Sequence, residues 1–155
     1  MSQYAETPRV AMQVSRNVVV ASIQVDLDDD VLARFEEDLL GRVHETNSRA
    51  VILDVSGLET LDSTEFKALR RIIAAVTIMG TESILVGLQP GVVSALIEVG
   101  ADVDGLRTAI DLDAAFELLE PEPEPEPNSE AIALESDVLQ DFTIMESEPI
   151  LEDEQ

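Results

Sequence analysis

Two adjacent hydroxyl side chains, Ser63 and Thr64, are the residues of this sequence with the clearest chemical potential. They lie between the carboxylates of Asp62 and Glu65, at the start of a segment whose hydrophobic residues recur at helical spacing. A phosphate on either hydroxyl would meet free backbone N–H groups and the positive end of the helix dipole, both of which favour an anion. Because Ser and Thr are also common where helices simply begin, spacing alone favours a structural role over phosphorylation.

Asp62 and Glu65 themselves predict how this helix begins. An Asp followed three residues later by Glu is an acceptable capping box, which makes Asp62 the N-cap and puts both hydroxyls in the first turn. Their side chains are then not needed for capping and can face solvent at the carboxyl edge of the sheet, where the sites of open α/β folds gather. A phosphate would add about −1.5 to −2 charges beside Asp62, Glu65 and Glu59, so we expect it to change a docked partner more than the fold.

The sequence between residues 9 and 119 has the patterns of a compact α/β domain. Two β-branched runs separated by Ser15-Arg16-Asn17 predict a hairpin, after which buried strands alternate with helices. The order ββαβαβαβα requires crossover connections and therefore a mixed, mostly parallel sheet packed with helices. After the hairpin, the expected helices cover residues 28–46, 63–80, 90–100 and 111–119, and the expected strands cover 50–55, 83–88 and 106–109.

Changes of composition divide the chain into four parts. Residues 1–8 are a polar N-terminal extension, and residues 9–119 form the predicted domain. Residues 120–128, EPEPEPEPN, favour an extended and self-repelling polyproline II linker. Residues 129–155 are acidic with scattered hydrophobic side chains, which predicts a disordered solubilising tail, and a segment that folds on a partner is the alternative.

The charge of the chain disfavours two classes of partner. Its formal net charge is −24, and the segment after Leu119 contains no Lys or Arg. Nucleic acids and anionic membrane surfaces are therefore disfavoured, whereas a protein or a cationic partner is not. The N-terminus lacks the pattern of a signal peptide and the apolar runs are too short to span a bilayer, so we expect a cytoplasmic protein.

Metal and catalytic sites have little support in the sequence. The absence of cysteine excludes disulfides and thiolate ligands. Asp26–Asp30 has carboxylates at calcium-loop spacing, but Val31 stands where such a loop requires Gly, and His44 fits a surface residue near a helix end. A carboxylate pair such as Asp54 and Asp62 has no base or electrophile paired with it, so an enzyme is the weakest interpretation and we expect no metal or cofactor.

Two segments resemble a known family. VILDVSGLETLDSTEFKALRR, residues 51–71, is similar to the STAS domain of anti-sigma-factor antagonists, in which an apolar strand ends in Asp and Asp-Ser follows at a helix start. GTESILVGLQPGVVSALIEVGADVDGLRTAIDLDAAFELL, residues 80–119, looks most like stressosome scaffold subunits of the RsbS and RsbR type. The short stretch before the first strand favours the RsbS type. The resemblance covers about residues 9 to 119 and leaves the acidic tail without a counterpart.

The resemblance implies a non-enzymatic binding module. Unphosphorylated subunits of this kind hold a serine/threonine kinase of the GHKL ATPase class, phosphorylation of the serine after Asp releases it, and a metal-dependent, PP2C-like phosphatase resets the switch. The family also implies assembly with paralogous STAS scaffold subunits into homo- or hetero-oligomers.

Carried across by position, the resemblance makes Ser63 the phosphoacceptor, with Thr64 as second choice. It also makes Asp62 the acid that precedes the phosphoacceptor. We predict that Asp62, Glu65, Glu59 and Gln89 bind the partner. Gln89 also lies in a Gln-Pro-Gly turn that leads into a helix. Where relatives commonly continue Asp-Ser with apolar residues, this chain has Thr64-Glu65, which alters the expected contact surface. The competing hypothesis is a regulatory STAS subunit that binds a transporter ATPase without a phosphate cycle.

Overall fold

The computed structural model describes residues 7–120, in which a five-stranded mixed sheet is packed with four helices. The elements follow the predicted order, and the predicted fold class is confirmed. The predicted linker beyond Glu120, the tail and residues 1–6 of the extension lie outside the described residues. The strands are β1 (Ala11–Ser15), β2 (Val18–Ser22), β3 (Ala50–Asp54), β4 (Glu82–Val86) and β5 (Thr108–Ala109), and the helices are α1 (Asp29–Thr46), α2 (Ser63–Ile78), α3 (Pro90–Glu98) and α4 (Leu112–Leu119).

The strands lie in the order β1-β2-β3-β4-β5. β1 pairs with β2 in antiparallel fashion, and the other neighbours are parallel, so the carboxyl ends of β2, β3 and β4 meet at one edge of the sheet. Each parallel connection passes through a helix, as crossover geometry requires. The loop from β3 to α2, which leads directly to Ser63, therefore emerges at this carboxyl edge.

Both faces of the sheet are covered by hydrophobic packing. On one face, Leu53 and Leu85 pack with residues of α1, α2 and α3, among them Phe35 and Phe66. On the other face, Val18, Val20, Ile52 and Ile84 pack with α4, the one helix on this side among residues 7–120. β3 is consequently buried on both sides, as its uninterrupted apolar run predicts.

The hairpin turns at Arg16 and Asn17, whose φ angles of +52° and +64° give the mirror-image turn that matches strand twist. Asn adopts this conformation readily, but Arg does so at a cost. The Arg16 guanidinium lies 5.2 Å from the centroid of the Phe116 ring and 3.6 Å from Glu120 Oε1. These contacts tie the turn to α4 and help to offset that cost.

Three strands end earlier or begin later than the sequence predicts, and β3 is the first, since it stops one residue early at Asp54. β4 stops at Val86 because Gly87 has a φ of +80°, which extended backbone does not allow. β5 begins at Thr108 rather than residue 106, because Leu106 N donates to Val103 O at 3.2 Å and closes a turn at Gly105. Among residues 7–120, no helix is long and apolar enough to cross a membrane.

Gly87 provides a test of how tightly the carboxyl edge is packed. A Cβ on Gly87 would lie 2.7 Å from Ser56 Cβ and 3.0 Å from Ser56 N, whereas a Cβ on Gly80, with a φ of +83°, meets nothing within 4 Å. Gly80→Ala should cost about 1 to 2 kcal/mol, for the left-handed backbone alone. Gly87→Ala should cost about 1 to 3 kcal/mol more, because the loop after β3 must move. Urea unfolding measures both, and equal losses would contradict the proposed packing.

Candidate functional site

The start of α2 is fixed by two reciprocal hydrogen bonds. Asp62 Oδ1 accepts from Glu65 N at 2.8 Å, and Glu65 Oε2 accepts from Asp62 N at 2.8 Å. Asp62 has extended backbone angles and Phe66 N donates to Asp62 O at 2.9 Å, the first bond of the helix. The predicted capping box is thus confirmed, and Ser63 and Thr64 are the first two helical residues.

The two hydroxyl-bearing residues differ in exposure. Thr64 is exposed, as expected, but Ser63 is half-buried rather than fully exposed. Ser63 is not part of the core, which begins at Phe66, buried to 2% exposure one turn along the same helix. α3 and the loop that follows it form two grooves with the first turn of α2, and Ser63 lines both.

The first groove, called here the acidic groove, has a volume of about 460 Å³ and separates the start of α2 from α3. Its charged lining residues are Glu59, Asp62 and Glu65, three of the four residues to which the sequence assigned partner binding. No cation lines this groove among the residues that the structure describes. The remaining lining residues are Thr60, Leu61, Ser63, Gly91, Val92, Ala95 and Val99.

The second groove, called here the basic groove, has a volume of about 400 Å³ and lies further along α2. It contains Lys67 and Arg70 from α2, facing the segment Val99–Asp102 that follows α3. Ser63 and Val99 line both grooves and therefore stand at the boundary between them. A change at Ser63 alters both surfaces at once.

Arg70 holds the far wall of the basic groove in place. Its Nη1 donates to Asp102 O at 2.6 Å and its Nη2 donates to Asp104 O at 3.1 Å, with Asp102 Oδ2 at 3.5 Å. These bonds link α2 to a loop more than thirty residues away in sequence. Lys67 is exposed and has no ion-pair partner within the described part of the chain.

Gln89 lies at the same carboxyl edge but lines neither groove. Its Nε2 donates to Ser56 O at 2.8 Å, which ties the loop after β3 to the start of α3. Asp54 Oδ1 accepts from Ser56 N at 2.9 Å and turns the same loop. Both side chains thus position the segment that leads to Ser63, and partner binding by Gln89 stays a prediction.

α3 has an exposed hydrophobic surface that was not predicted from the sequence. Val92 and Leu96 face the core, but Val93 and Ile97, each one residue further along the helix, are 42% and 66% exposed. Val99, which is also exposed, lies at the end of the same helix and lines both grooves. We call Val93 and Ile97 the α3 surface. The sequence does contain a signal for this surface: VVSALIEV, residues 92–99, has only two polar residues. One buried stripe of a helix needs only about half of its positions to be hydrophobic, so the other hydrophobic side chains must be exposed.

The other candidate residues have structural positions. Asp28 Oδ1 accepts from Val31 N at 2.8 Å, so the acidic run before α1 supplies its N-cap and its first turn. His44 is exposed in the last turn of α1. Within residues 7–120, no group of three or more His, Asp or Glu side chains is placed to hold a metal ion.

Comparison with known proteins gives a consistent family signal. The family model described as the STAS domain matches residues 9–107. The RsbT co-antagonist protein RsbRA of Bacillus subtilis (strain 168) is 23% identical over 109 residues, which cover 64% of this chain and 40% of RsbRA. The chain therefore spans about 40% of the length of that curated relative.

Solved structures agree with this match. A serine-to-glutamate variant of RsbS from Moorella thermoacetica is 27% identical with a TM-score of 0.62, covering 71% of this chain and 93% of that one. A chain from the molecular architecture of the stressosome, a signal integration and transduction hub, is 28% identical with a TM-score of 0.63, covering 70% and 95%. Unphosphorylated SpoIIAA, an anti-sigma factor antagonist, shares the fold with a TM-score of 0.54 at 17% identity and coverage of 70% and 96%.

The capping box can be tested by separating its hydrogen bond from its charge. Asp62→Ala removes the acceptor for Glu65 N and should lower the free energy of unfolding by about 1 kcal/mol. Asp62→Asn keeps an acceptor oxygen and should retain most of that stability, because Asn and Asp are similar N-caps. Urea unfolding of the two variants decides the matter. If the Asp62→Ala variant is as stable as the wild type, the capping box does not fix the start of α2.

Proposed function

The chain belongs to the STAS domain family, and from that premise we propose that it is a non-enzymatic, phosphorylation-switched regulator. In this proposal it acts as an anti-sigma-factor antagonist or stressosome scaffold subunit. It binds a serine/threonine kinase of the GHKL class and releases that kinase when Ser63 is phosphorylated. The kinase transfers the γ-phosphoryl group of ATP to Ser63 Oγ, leaving ADP and releasing the hydroxyl proton. Hydrolysis by a PP2C-like phosphatase restores the serine and yields inorganic phosphate.

The observation that carries the proposal is the position of Ser63 directly after the N-cap of α2. Asp62 and Glu65 supply the capping bonds, so the Ser63 side chain is not needed for them. It is half-buried and not packed in the core, on the boundary of two grooves. A kinase can therefore reach the Ser63 hydroxyl with local adjustment only. Phosphorylation of Ser63 then changes the surface of two grooves rather than that of a protruding loop.

Electrostatics explains why modification would act on binding more than on folding. The acidic groove already contains three carboxylates, and a phosphate adds about −1.5 to −2 charges at its boundary. A partner matched to the unmodified surface would then meet a strongly hydrated dianion at the contact, which is costly to bury. The fold loses little, because a charge in the first turn is favourable to the helix dipole by about 0.3–1 kcal/mol.

The α3 surface extends the contact region that the proposal needs. Exposed hydrophobic side chains beside a polar site are typical of protein interfaces, whose centres are apolar and whose rims are charged. Val99, at the end of the same helix, lines both grooves, so we assign α3 to the contact region together with the start of α2. We assign the rim of this interface to Glu59, Asp62 and Glu65, with Gln89 at its edge.

Assembly with other subunits is also part of the proposal. Similarity to RsbRA and to a chain of the stressosome supports oligomerisation with paralogous STAS subunits in the cytoplasm. Phosphorylation of Ser63 distinguishes this function from the competing one, a regulatory subunit that binds a transporter ATPase without a phosphate cycle. Retained binding to a membrane transport ATPase, without any labelling of Ser63, would support that competing function.

Labelling and binding by a GHKL-class kinase encoded beside the gene provide the direct test. Phosphate should map by mass spectrometry to Ser63 in the wild type and in Thr64→Ala, and should be absent from Ser63→Ala. Ser63→Ala should keep binding the kinase, whereas Ser63→Asp should lose binding by tenfold or more in Kd. The melting temperature of Ser63→Asp should change by only about 2 °C, because a first-turn acid suits the helix dipole. Labelling confined to Thr64, or full binding by a well-folded Ser63→Asp, would contradict the proposal.

The α3 surface gives a second, independent test. Ile97→Asp places a charge in the proposed contact and should weaken kinase binding by tenfold or more, since interface centres tolerate unpaired charge poorly. Ile78→Asp is the matched control, because Ile78 is 86% exposed at the far end of α2. Both variants should keep the wild-type fold by circular dichroism. Equal binding by the two variants in calorimetric titration would remove the α3 surface from the interface.

A further inference from the structure

A phosphate on Ser63 would have two places to go, because the Ser63 side chain borders both grooves. In the acidic groove it would face Glu59, Asp62 and Glu65 with no cation in the described lining. In the basic groove it would face Lys67 and Arg70, with Asp102 as the one carboxylate in the lining. The difference in charge favours the basic groove for a dianion.

The two cations of the basic groove are not equally available. Arg70 already donates to two backbone carbonyls and lies 3.5 Å from the Asp102 carboxylate, so its guanidinium is occupied by the loop that forms the groove wall. Lys67 is exposed and has no ion-pair partner among residues 7–120. Lys67 is therefore the cation that can turn to a new anion without breaking an existing contact.

The spacing on α2 suits this pairing. Ser63 and Lys67 are four residues apart, so they lie one above the other on the same side of the helix. An anion placed N-terminal to a cation at this spacing is the more favourable orientation, because it also agrees with the helix dipole. The flexible stem of Lys67 allows its ammonium group to reach back over the first turn.

We propose that Lys67 is the counter-charge of a phosphate on Ser63, and that the pair occupies the basic groove. The inference rests on the proposed function, since it concerns the modified state of the same serine. Lys67 acts as a positioning residue: it directs the phosphate away from the three carboxylates of the acidic groove. Filling the basic groove in this way changes the surface between Val99 and Asp102, which the unmodified protein offers to a partner.

The phosphate would report this pairing through its second ionisation, which has a pKa of about 6 in free phosphoserine. Glu59, Asp62 and Glu65 raise that pKa, whereas the helix N-terminus, Lys67 and Arg70 lower it. The carboxylate of Asp102, 3.5 Å from Arg70 on the far wall, reduces the effect of Arg70 on that pKa. Glu98 of α3 is exposed and lines neither groove. The effect of Lys67 on the phosphate pKa can be removed by a single substitution that leaves the bonds between Arg70 and the groove wall intact.

The test uses the full chain with phosphoserine incorporated in place of Ser63 by genetic code expansion, so it does not require the kinase. A 31P NMR titration gives the pKa of the phosphate. Lys67→Met should raise that pKa by about 0.3 unit or more, a twofold change in the acid constant, because an ion pair at this spacing is lost. Lys67→Arg should leave the value close to that of the wild-type chain.

Arg71→Gln is the matched control for charge. It also removes one positive charge from α2, but Arg71 Nη2 pairs with Glu36 Oε2 at 3.2 Å, away from both grooves. It should leave the phosphate pKa unchanged. The inference is overturned if Lys67→Met has no effect, or if Arg71→Gln raises the pKa as much. Either result leaves the proposed switch intact, whereas failure of a kinase to label Ser63 would remove the switch and leave this measurement standing.

Discussion

The reciprocal hydrogen bonds between Asp62 and Glu65 are the constraint on which the candidate site depends. They determine that α2 begins at Ser63, and so they decide which side chain lies at the boundary of the two grooves. Because both acids are used in the cap, the hydroxyl between them is not needed for it. The same acids also make this part of the surface negative. One local motif thus starts the helix, presents the serine and sets the charge that a phosphate would increase.

The surroundings of that motif are tightly packed where they meet the core and exposed where they meet solvent. Beneath Ser63, Phe66 and Leu69 are buried among residues of the sheet and α1. Behind it, the loop after β3 is held by Gln89 and by the close approach of Gly87 to Ser56. On the solvent side, Lys67 and Thr64 are exposed. A new charge on Ser63 can therefore rearrange the surface while the packed layers keep their positions.

Local patterns were sufficient to predict much of this arrangement. The hairpin at Arg16-Asn17, the order of the elements and the capping box each depend on residues within about four positions of one another. The chemical role of Ser63 depends on the family resemblance, because a hydroxyl in a first turn is common in proteins without a switch. Partner binding by Glu59, Asp62, Glu65 and Gln89 likewise stays a prediction.

What the sequence could not provide depends on contacts between distant residues. The basic groove beside Ser63 depends on the segment after α3, which Arg70 holds through carbonyls 32 and 34 residues away. The exposure of Val93 and Ile97 depends on which side of α3 the sheet covers, and an apolar run with few polar residues does not decide that. The hydrogen bond from the Gln89 amide to Ser56 O forms only because the loops that follow β3 and β4 meet at the carboxyl edge. Spacing along the chain gives no measure of any of these.

The central claim is that a phosphate on Ser63 changes the surface and leaves the fold intact. Amide chemical-shift mapping by 15N NMR, comparing the full chain with and without phosphoserine at this position, tests it most directly. We expect shifts in the first two turns of α2 and in the residues that line the two grooves, with the amides of β2 and β3 unchanged. Widespread shifts through those central strands, or loss of signal dispersion, would show that modification acts by disturbing the fold and would contradict the account.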